Sequence, residues 1–431
     1  MNEYAKHWTT GSDLGLPQGT ATVESHVSPE IYAAEVDRIY RRVWLMIGRV
    51  EEIPGPVDFM LREVPTLKAE LIVVRGKDDV VRAFHNTCAH RGVPVVHQKK
   101  GTSATFRCPY HSWLYGADGK LRSIPAQENF PCVDKANSGL VPVNLDIWNG
   151  FIFVNFADEP EQSLAQFLGG LGELHETLPF DRYQFHVTSD YDVAGNWKAC
   201  MHTFSEGYHI TSAHSRTLTP QIVNSGNPTF NFYDVQVFGP HSTLTSERNF
   251  DWRPKSSVQT WAISQMAPAV MPSKGDSPER DFATHPSINR IQIPNFGVET
   301  ITIFPNICLQ PLGGGYLWMT FWPLEAGRTL AEIRNYSGAV PTNLREEFTA
   351  SWAAAAARDV LSEDFALTAQ QQRGFEMGAR THQQFGENEG LLRFFAAAVD
   401  HYLHNDGPFE GERLPNQAAA GMTQERARDE V

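Results

Sequence analysis

Features that mark secreted, membrane-spanning or nucleic-acid-binding proteins are scarce in this sequence. Only five of the 431 residues are cysteine, and an odd number in so long a chain argues against a disulfide framework. No apolar run approaches the roughly 20 residues that cross a bilayer. The first residues lack the apolar stretch of a signal peptide, and acidic residues outnumber basic ones by 50 to 36. We therefore expect a cytoplasmic protein whose partners include neither a membrane nor a nucleic acid.

The length of the chain indicates at least two domains, because single domains rarely approach 431 residues. Short strands and turns dominate from residue 44 to residue 157, as in the segments Leu71–Arg75 and Val80–Phe84 on either side of a Gly-Lys-Asp-Asp turn. Helical and strand patterns mix after that point. These patterns predict an α+β protein with a helical lead-in over residues 1–43 that packs on the last domain, an all-β domain over 44–157, and a larger domain over 158–431.

Cap residues and composition predict helices over residues 29–42, 197–209 and 343–373, and a further helix is expected at about 163–177. Ser28 is a favourable N-cap for the first, and Gly374 is positioned to end the third. The long connection over residues 264–297 is expected to be a lid or a binding loop. A mobile tail is expected after Pro415.

Two short segments each offer one thiol and one imidazole. They are Cys88-Ala89-His90 and Cys108-Pro109-Tyr110-His111. Structural zinc accepts two cysteines and two histidines, so zinc is one interpretation. Zinc fingers usually pair cysteine with cysteine, however, whereas one of each per loop suits a Rieske [2Fe–2S] cluster, in which one iron takes two cysteines and the other two histidines. The remaining cysteines are expected to be ordinary thiols: Cys132, Cys200 and Cys308.

A second group of histidines follows downstream. Glu206 and His209 are three residues apart and would share a face on a helix. His214 lies five residues beyond His209 and would join that face only if the helix ends or bulges there. Two histidines with one carboxylate form the facial triad that binds oxygen-activating Fe(II). The alternative is that both are ordinary buried histidines, since the chain contains 16.

The two groups together resemble the α subunits of the Rieske ring-hydroxylating oxygenases. The resemblance rests on Cys-x-His and Cys-x-x-His, then Asn196-Trp197-Lys198, then Glu-x-x-His followed by His214, and it extends from about Trp44 to Gly374. It implies a Rieske domain and a helix-grip catalytic domain, which is an antiparallel sheet with helices. It also implies two cofactors, a Rieske [2Fe–2S] cluster and a mononuclear Fe(II).

The resemblance assigns a role to each residue. Asp364 is implied as the carboxylate ligand of the iron, with Asp359 as the alternative. Glu206 is implied as the acid that bridges an iron histidine to a cluster histidine. His202 is either a structural histidine or a proton donor near the iron. The implied metal ligands are Cys88, His90, Cys108 and His111 for the cluster, and His209, His214 and Asp364 for the iron.

The implied reaction inserts oxygen from O2 into a small organic substrate, aromatic or apolar, by dihydroxylation, monooxygenation or demethylation. Catabolism of aromatic hydrocarbons is the implied setting. A ferredoxin, an NAD(P)H-dependent reductase, or both would supply the electrons. The implied assembly is a homotrimer or a multiple of it, with or without a β subunit. A Rieske protein that only transfers electrons is the alternative, and it would leave the second histidine group unused.

Basic residues are concentrated around the first metal motif. Nine Lys and Arg side chains but only three acidic ones lie between Arg75 and Arg122, in a chain whose formal net charge is −14. Opposite charges accelerate the encounter of two proteins, so this excess predicts an acidic electron donor. Lys99 and Lys100 are the predicted docking residues. The alternative is an ordinary solvated surface.

Overall fold

A computed structural model of the protein describes residues 8–15, 19–265, 281–312, 315–338 and 340–411. Residue contacts divide the chain into a small unit, Val36–Phe167, and a large unit formed by Met1–Glu35 together with Leu168–Val431. The domain limits after residues 43 and 157 stay predictions. Residues 266–280 of the predicted lid loop and the tail after Pro415 lie outside the described residues.

The strands are numbered along the chain: β1 (Gly19–Thr22), β2 (Leu45–Arg49), β3 (Asp58–Val64), β4 (Ala69–Arg75), β5 (Val81–His85), β6 (Lys100–Thr102), β7 (Thr105–Arg107), β8 (Leu114–Gly116), β9 (Leu121–Ser123), β10 (Pro142–Trp148), β11 (Phe151–Asn155), β12 (Phe185–Val193), β13 (Tyr233–Phe238), β14 (His241–Glu247), β15 (Phe296–Ile303), β16 (Ile307–Leu312), β17 (Gly315–Glu325), β18 (Arg328–Ser337) and β19 (His382–Phe385). The α-helices span Glu24–Val27, Pro29–Glu35, Leu164–His175, Trp197–His202, Ile210–Ala213, Thr219–Ile222, Ser257–Gln265, Asp281–Thr284, Leu344–Glu376 and Gly390–His404. Short 3-10 segments occur at Val50–Glu52, Pro65–Leu67, Gln127–Asn129, Phe180–Arg182 and Glu387–Glu389.

The small unit is built from antiparallel strands. Its described strands form a sheet in the order β2-β11-β10-β5-β4-β3-β6 and a smaller sheet in the order β7-β8-β9. The two segments flanking the Gly-Lys-Asp-Asp turn form the hairpin of β4 and β5, as predicted, and β8 pairs with β9 in a second hairpin. The core between the sheets includes Phe84, Phe106 and Trp113, and the two metal-motif cysteines, Cys88 and Cys108, belong to it. The strands therefore fix the inner ends of both metal-motif loops.

The large unit contains a longer antiparallel sheet, with the described strands in the order β12-β18-β17-β16-β15-β14-β13. The long helix Leu344–Glu376 packs against β12 and β18. Its inward face buries Leu361, Asp364 and Phe365, whereas Asp359 on the same helix is exposed. A sheet packed with helices in one unit and an all-β unit in the same chain confirm the predicted α+β class.

The N-terminal segment of the large unit is joined to the rest of that unit by a buried polar network. Strand β1 pairs with β19 near the C-terminus. The indole of Trp197 donates to Glu35 at 2.8 Å, and the Lys198 ammonium pairs with the same carboxylate. Lys198 also donates to the carbonyl of Ser25 at 2.8 Å. Breaking this buried ion pair would leave one charge buried without a partner, which is costly. The network therefore fixes the position at which the helix Trp197–His202 begins.

Helix limits differ from the predictions in three places. The helix predicted over 29–42 is α-helical only over Pro29–Glu35 and continues as a π-helical turn to Tyr40. The prediction over 197–209 is wrong, because the helix stops at His202. The third helix is confirmed, but it runs past Gly374 to Glu376. No helix among the described residues combines the length and the apolar character needed to cross a membrane.

Candidate metal centres

The two metal-motif loops of the small unit share one backbone conformation. In each loop the amide of the cysteine, Cys88 or Cys108, donates to the carbonyl five residues on, at 3.0 and 2.9 Å. The cysteine carbonyl accepts from the amide four residues on, at 2.9 and 3.0 Å. That fourth residue is Gly92 or Ser112, with φ of 75° and 59°. The same tight turn therefore presents one thiol and one imidazole twice.

Thiols and imidazoles occupy opposite ends of this group. Cys88 and Cys108 are each 2% exposed, within the core. His90 is half-buried and stacks on Trp113 at 5.1 Å between ring centroids, while His111 is exposed. The two imidazole rings lie 4.6 Å apart. The arrangement fits a centre whose inner metal takes sulfur and whose outer metal takes nitrogen.

Donor spacing argues against a single zinc ion. Tetrahedral zinc, with bonds of about 2.0 to 2.3 Å, would bring all four donor atoms to roughly 4 Å of one another. Within the described part of the chain, three or more metal-binding donors lie within 4.8 Å of one another in the large unit but not in these loops. The buried Nδ1 of His90 has no hydrogen-bond partner among the described residues, so it is available as a ligand. These residues fit a two-iron cluster.

Tyr115 adds a hydrogen bond to this centre that sequence reasoning did not identify. Its hydroxyl oxygen accepts from the amide of Ala89 at 3.0 Å and lies 3.2 Å from Cys88 Sγ. A cysteine that holds iron is a thiolate without a proton, so the hydroxyl would then be the donor to the sulfur. Burial, together with Cys88, raises the pKa of Tyr115, which keeps this donor protonated. Donors to cluster sulfurs tune the reduction potential.

Three donors converge in the large unit. His209 Nε2 lies 3.5 Å from Asp364 Oδ1, and His214 Nε2 lies 2.9 Å from the same oxygen. The donor atoms of all three residues lie within 4.8 Å of one another. The two histidines flank the short helix Ile210–Ala213, one as its N-cap and the other as its C-cap. The helix thus ends at His214, as the five-residue spacing required.

A carboxylate lies behind each of these imidazoles. Glu206 accepts from the Nδ1 of His209 and, at 3.1 Å, from its backbone amide. Glu363 lies 2.8 Å from the Nδ1 of His214 and accepts a second hydrogen bond from Thr217 Oγ1 at 2.5 Å. In a neutral ring, a proton held at Nδ1 leaves the Nε2 lone pair facing Asp364. Carboxylates in this position orient metal-binding histidines.

The lone pairs of both Nε2 atoms and of the Asp364 carboxylate point at one another, and a positive charge between them would stabilise this arrangement. Burial would lower the pKa of His209, but Asp364 and Glu206 outweigh it and raise that pKa to about 9. A proton is therefore drawn to the position where a metal cation would neutralise the same lone pairs. Two histidines and one carboxylate, with open positions, suit non-haem Fe(II). The residues present fit the iron that the sequence predicts.

Two sequence-predicted residues lie outside the group of three donors. Asp359, the alternative ligand, is exposed on the long helix. His202 is 8% exposed, and its ring lies 6.0 Å from Phe385 and 5.9 Å from Phe395 between centroids. Burial, with Lys198 nearby, lowers the pKa of His202 to about 3, so the ring is neutral. These surroundings favour its structural interpretation.

The three donors line a cavity of about 350 Å³. Most of its walls are apolar, and they come from the His-bearing segment, the sheet and the long helix. The apolar lining includes Phe204, Ile210, Phe230, Phe232, Leu317 and Met319. The polar lining includes Glu206, Gln221, Arg248, Thr300 and Gln310. Pockets of this size bind small organic ligands.

Two family models match the sequence. The model described as the catalytic domain of the ring-hydroxylating alpha subunit matches residues 180–405, and the Rieske [2Fe-2S] domain model matches residues 43–135. The first match alone covers more than half of the chain.

Known relatives match part or most of the chain. The glycine betaine monooxygenase oxygenase subunit of Chromohalobacter salexigens is 26% identical over 330 residues, which is 75% of this chain and 71% of that protein. The anthranilate 1,2-dioxygenase large subunit of Acinetobacter baylyi is 31% identical over 193 residues, 43% of this chain and 40% of that protein.

Solved structures have the same fold. A quaternary ammonium Rieske monooxygenase in complex with gamma-butyrobetaine superposes with a TM-score of 0.69 at 19% identity, covering 91% of this chain and 98% of the other. Naphthalene 1,2-dioxygenase from Rhodococcus sp. bound to indole gives 0.68 at 18% identity, covering 90% and 95%.

Proposed function

This chain belongs to the Rieske ring-hydroxylating oxygenase α subunits, and we propose that the two groups of side chains described above hold its metal centres. As a member of this family it is the catalytic subunit of a Rieske non-haem iron oxygenase, with a Rieske [2Fe–2S] cluster and a mononuclear iron. The sequence-based predictions of family, enzyme class and cofactors are thereby confirmed. The proposed ligands are Cys88, His90, Cys108 and His111 for the cluster, and His209, His214 and Asp364 for the iron.

One observation carries the assignment of the iron site. Asp364 Oδ1 lies within 3.5 Å of both Nε2 atoms, while each Nδ1 is engaged by a separate carboxylate. Such doubly supported imidazoles occur where a metal must be held in a fixed orientation. The same three donors open onto a cavity large enough for a small substrate.

When bound, the cluster supplies electrons one at a time and the iron binds and activates O2. The protein's own residues prepare the site for that chemistry. Glu206 and Glu363 hold the Nδ1 protons of His209 and His214, which directs both Nε2 lone pairs inward. The apolar cavity walls exclude bulk water from the substrate. The electron-transfer-only alternative would require none of these groups.

The substrate is proposed to be a small organic molecule whose reacting part is apolar. The relatives named above act on glycine betaine, a quaternary ammonium compound, and on anthranilate, an aromatic acid. Both classes would fit a cavity of about 350 Å³. Catabolism of an aromatic hydrocarbon is therefore only one of the proposed settings. Dihydroxylation, monooxygenation and demethylation differ in their products, which mass spectrometry after turnover under 18O2 would distinguish.

Rieske oxygenases receive electrons from a reductase or ferredoxin and form oligomers. For this chain we propose an NAD(P)H-dependent reductase, a ferredoxin, or both, and a homotrimer or a multiple of it, with or without a β subunit. Glu206 would then bridge His209 to a cluster histidine of another copy. Light scattering of the purified protein would determine the number of copies.

The proposed donor-docking surface is smaller than the basic count alone suggests. Lys100 pairs with Glu52 at 2.8 Å, and other bases are paired as well: Arg75 with Asp79, Arg82 with Asp78, and Arg122 with Asp118. Lys99 has no ion pair within the described ranges of the chain and is exposed. Lys99 is therefore a better docking candidate than Lys100.

Metal content tests the proposal directly. The wild type should contain one iron beyond the two of the cluster, and Asp364→Ala should lose that iron while keeping the cluster absorption. Asp359→Ala is the matched control, because Asp359 lies on the same helix but is exposed. Full iron content in Asp364→Ala would show that the ligand assignment is wrong.

A further inference from the structure

Resting on the proposed function, we propose that Phe230 limits the size of the substrates that the iron site accepts, and that Asn227 holds Phe230 in place from outside the cavity. Phe230 lines the same cavity as His209 and Asp364, and it is 4% exposed. Asn227 is buried close to Phe230 but is not part of the cavity lining.

Phe230 has a backbone conformation that aromatic residues seldom adopt. Its φ is 50°, in the left-handed region, where the Cβ atom of an ordinary residue crowds the following carbonyl oxygen. Glycine or asparagine would occupy this position at a lower cost. The turn alone therefore does not select an aromatic residue. Residues held in such conformations cluster at active sites and ligand-binding sites, where the direction of the side chain matters.

Hydrogen bonds centred on Asn227 impose this conformation. The amide of Phe230 donates to the carbonyl of Asn227 at 3.2 Å. The side chain of Asn227 accepts from the amide of Asn231 at 2.8 Å and donates to the carbonyl of Asn231 at 2.9 Å. These bonds engage the backbone before and after Phe230, so Phe230 has little freedom to change its backbone angles. Asparagine side chains commonly stabilise turns in this way.

The absence of a side chain at Gly207 makes room for Phe230 beside the iron ligands. A Cβ atom at Gly207 would lie 2.0 Å from the carbonyl oxygen of Phe230 and 2.9 Å from its ring carbon Cδ1. The main chain and the ring of Phe230 thus both pack on the segment between Glu206 and His209. A ligand that approaches the iron along this side of the cavity meets Phe230.

A purely structural role for Phe230 would have different consequences from a role in substrate selection. If the ring only fills the core, its truncation lowers the stability of the protein and leaves the relative affinities for small and large ligands unchanged. If the ring bounds the substrate space, its truncation enlarges that space and favours larger ligands. The size dependence of ligand binding therefore separates the two roles.

A series of ligands of increasing size tests the proposal. Calorimetry on the iron-loaded enzyme, without reductant or O2, would compare phenol, 2-naphthol and 9-phenanthrol. Phe230→Ala should bind these ligands more tightly than the wild type does, by a factor that grows with ligand size and reaches roughly tenfold for 9-phenanthrol. Phe230→Leu, which keeps part of the buried volume, should show the same trend with a smaller factor.

Variants of the turn test the role of Asn227. Asn227→Ala should shift the affinities in the same direction as Phe230→Ala, although the residue does not line the cavity. Asn227→Asp keeps the acceptor for the amide of Asn231 and loses only the donation, so it should show part of that shift. Thr229→Ala is the matched control, because Thr229 is exposed in the same turn and bonds only the side chain of Asn231, at 2.8 Å. It should bind all three ligands as the wild type does.

The outcomes separate this proposal from the proposed function. Iron content and cluster absorption identify any variant that has lost its fold, and Phe230→Leu then decides in place of Phe230→Ala. A folded Phe230 variant with no gain for the larger ligands would show that Phe230 does not limit the substrate. Wild-type affinities in Asn227→Ala would show that Asn227 does not hold it. Because the measurement involves no turnover, a lack of oxygenase activity would count against the proposed function and leave the binding result standing.

Discussion

Glu363 is the carboxylate that contacts the Nδ1 of His214, and replacing it with alanine tests whether the metal-binding histidines need such a hydrogen-bond partner. Its Oε2 lies 2.8 Å from the Nδ1 of His214 and also accepts the hydroxyl of Thr217 at 2.5 Å. The His214 side chain is 2% exposed, so Glu363→Ala leaves a buried ring nitrogen unsatisfied. Removing such a partner typically weakens metal binding by roughly 10- to 100-fold.

The exposure of Glu363 narrows this range. Its side chain is 29% exposed, so water can enter after truncation and replace part of the lost hydrogen bonding. We therefore expect the lower end, roughly a tenfold rise in the dissociation constant of Fe(II), or about 1.4 kcal/mol. Competition with a calibrated chelator, on protein whose cluster is intact, measures this constant without turnover.

Two control variants locate the cause of any loss. Thr217→Val removes the second donor to Glu363 but keeps its contact with His214, so a smaller effect is expected. Asp359→Ala removes an exposed acid from the same helix and should leave Fe(II) affinity unchanged. An unchanged Fe(II) dissociation constant in Glu363→Ala would refute the idea that this carboxylate holds the histidine for the metal.

Four further predictions address the other parts of the molecule. Cys88→Ser should remove the visible Rieske absorption while the large unit stays folded by circular dichroism; persistence of the absorption would overturn the ligand assignment. Glu206→Gln should keep both metal centres and nearly abolish transfer from the reduced cluster to the iron site, as timed in a single turnover; a wild-type rate would end the bridging role. Burial lowers the pKa of His202 to about 3 from about 6.5 in the unfolded chain, so its contribution to the free energy of unfolding is complete above pH 6.5 and is lost as pH falls below that value. Denaturant titrations should show that, between pH 8 and pH 5, the wild type loses about 2 kcal/mol more free energy of unfolding than His202→Phe. Equal losses in the two proteins would contradict a buried neutral ring. Lys99→Glu should slow cluster reduction by the protein donor at low salt but not reduction by dithionite, with Lys100→Glu having less effect; indifference to both changes and to ionic strength would move the docking surface elsewhere.

The cluster loops were predictable because their chemistry is local in sequence. Each loop carries its thiol and imidazole within four residues, and Asp118-Gly119 marks the hairpin that follows. In the shared turn, the fourth residue after the cysteine must tolerate a positive φ, and a glycine such as Gly92 indicates such a position in the sequence. Ser112 was not, since nothing in its neighbours requires a positive φ. The donation from Tyr115 to Cys88 depends on a contact across the core, which a single sequence does not specify.

The predicted helix over 197–209 failed for one local and one tertiary reason. Thr203 Oγ1 donates to the carbonyl of Cys200 at 2.8 Å, and Ser205 Oγ donates to that of Met201 at 3.1 Å. Such local bonds compete with helix continuation. Gly207 then passes so close to Phe230 that a Cβ atom would lie 2.0 Å from its carbonyl oxygen. The helix therefore cannot continue past this close contact between distant residues, and helix propensities, which are local, do not predict it.

Asp364 and Asp359 could not be separated by helix geometry alone, because the sequence does not say which face of the long helix turns inward. In the structure, the rotation of the long helix is fixed by Gln372, which lies two turns beyond Asp364. Gln372 Oε1 accepts from the backbone amide of Asn196 at 3.2 Å, and its Nε2 donates to the carbonyl of His26 at 3.1 Å.

Asn196 is also the N-cap of the helix that leads to the histidines, since its side chain accepts from the amide of Lys198 at 2.9 Å. The same residue therefore fixes the start of the His-bearing segment and, through Gln372, the rotation of the Asp-bearing helix. A rotation of the long helix by one residue, about 100°, would withdraw Asp364 and Glu363 from the site together. The Asn-Trp-Lys motif thus supports the iron site at a distance, by aligning the two segments that supply the metal ligands.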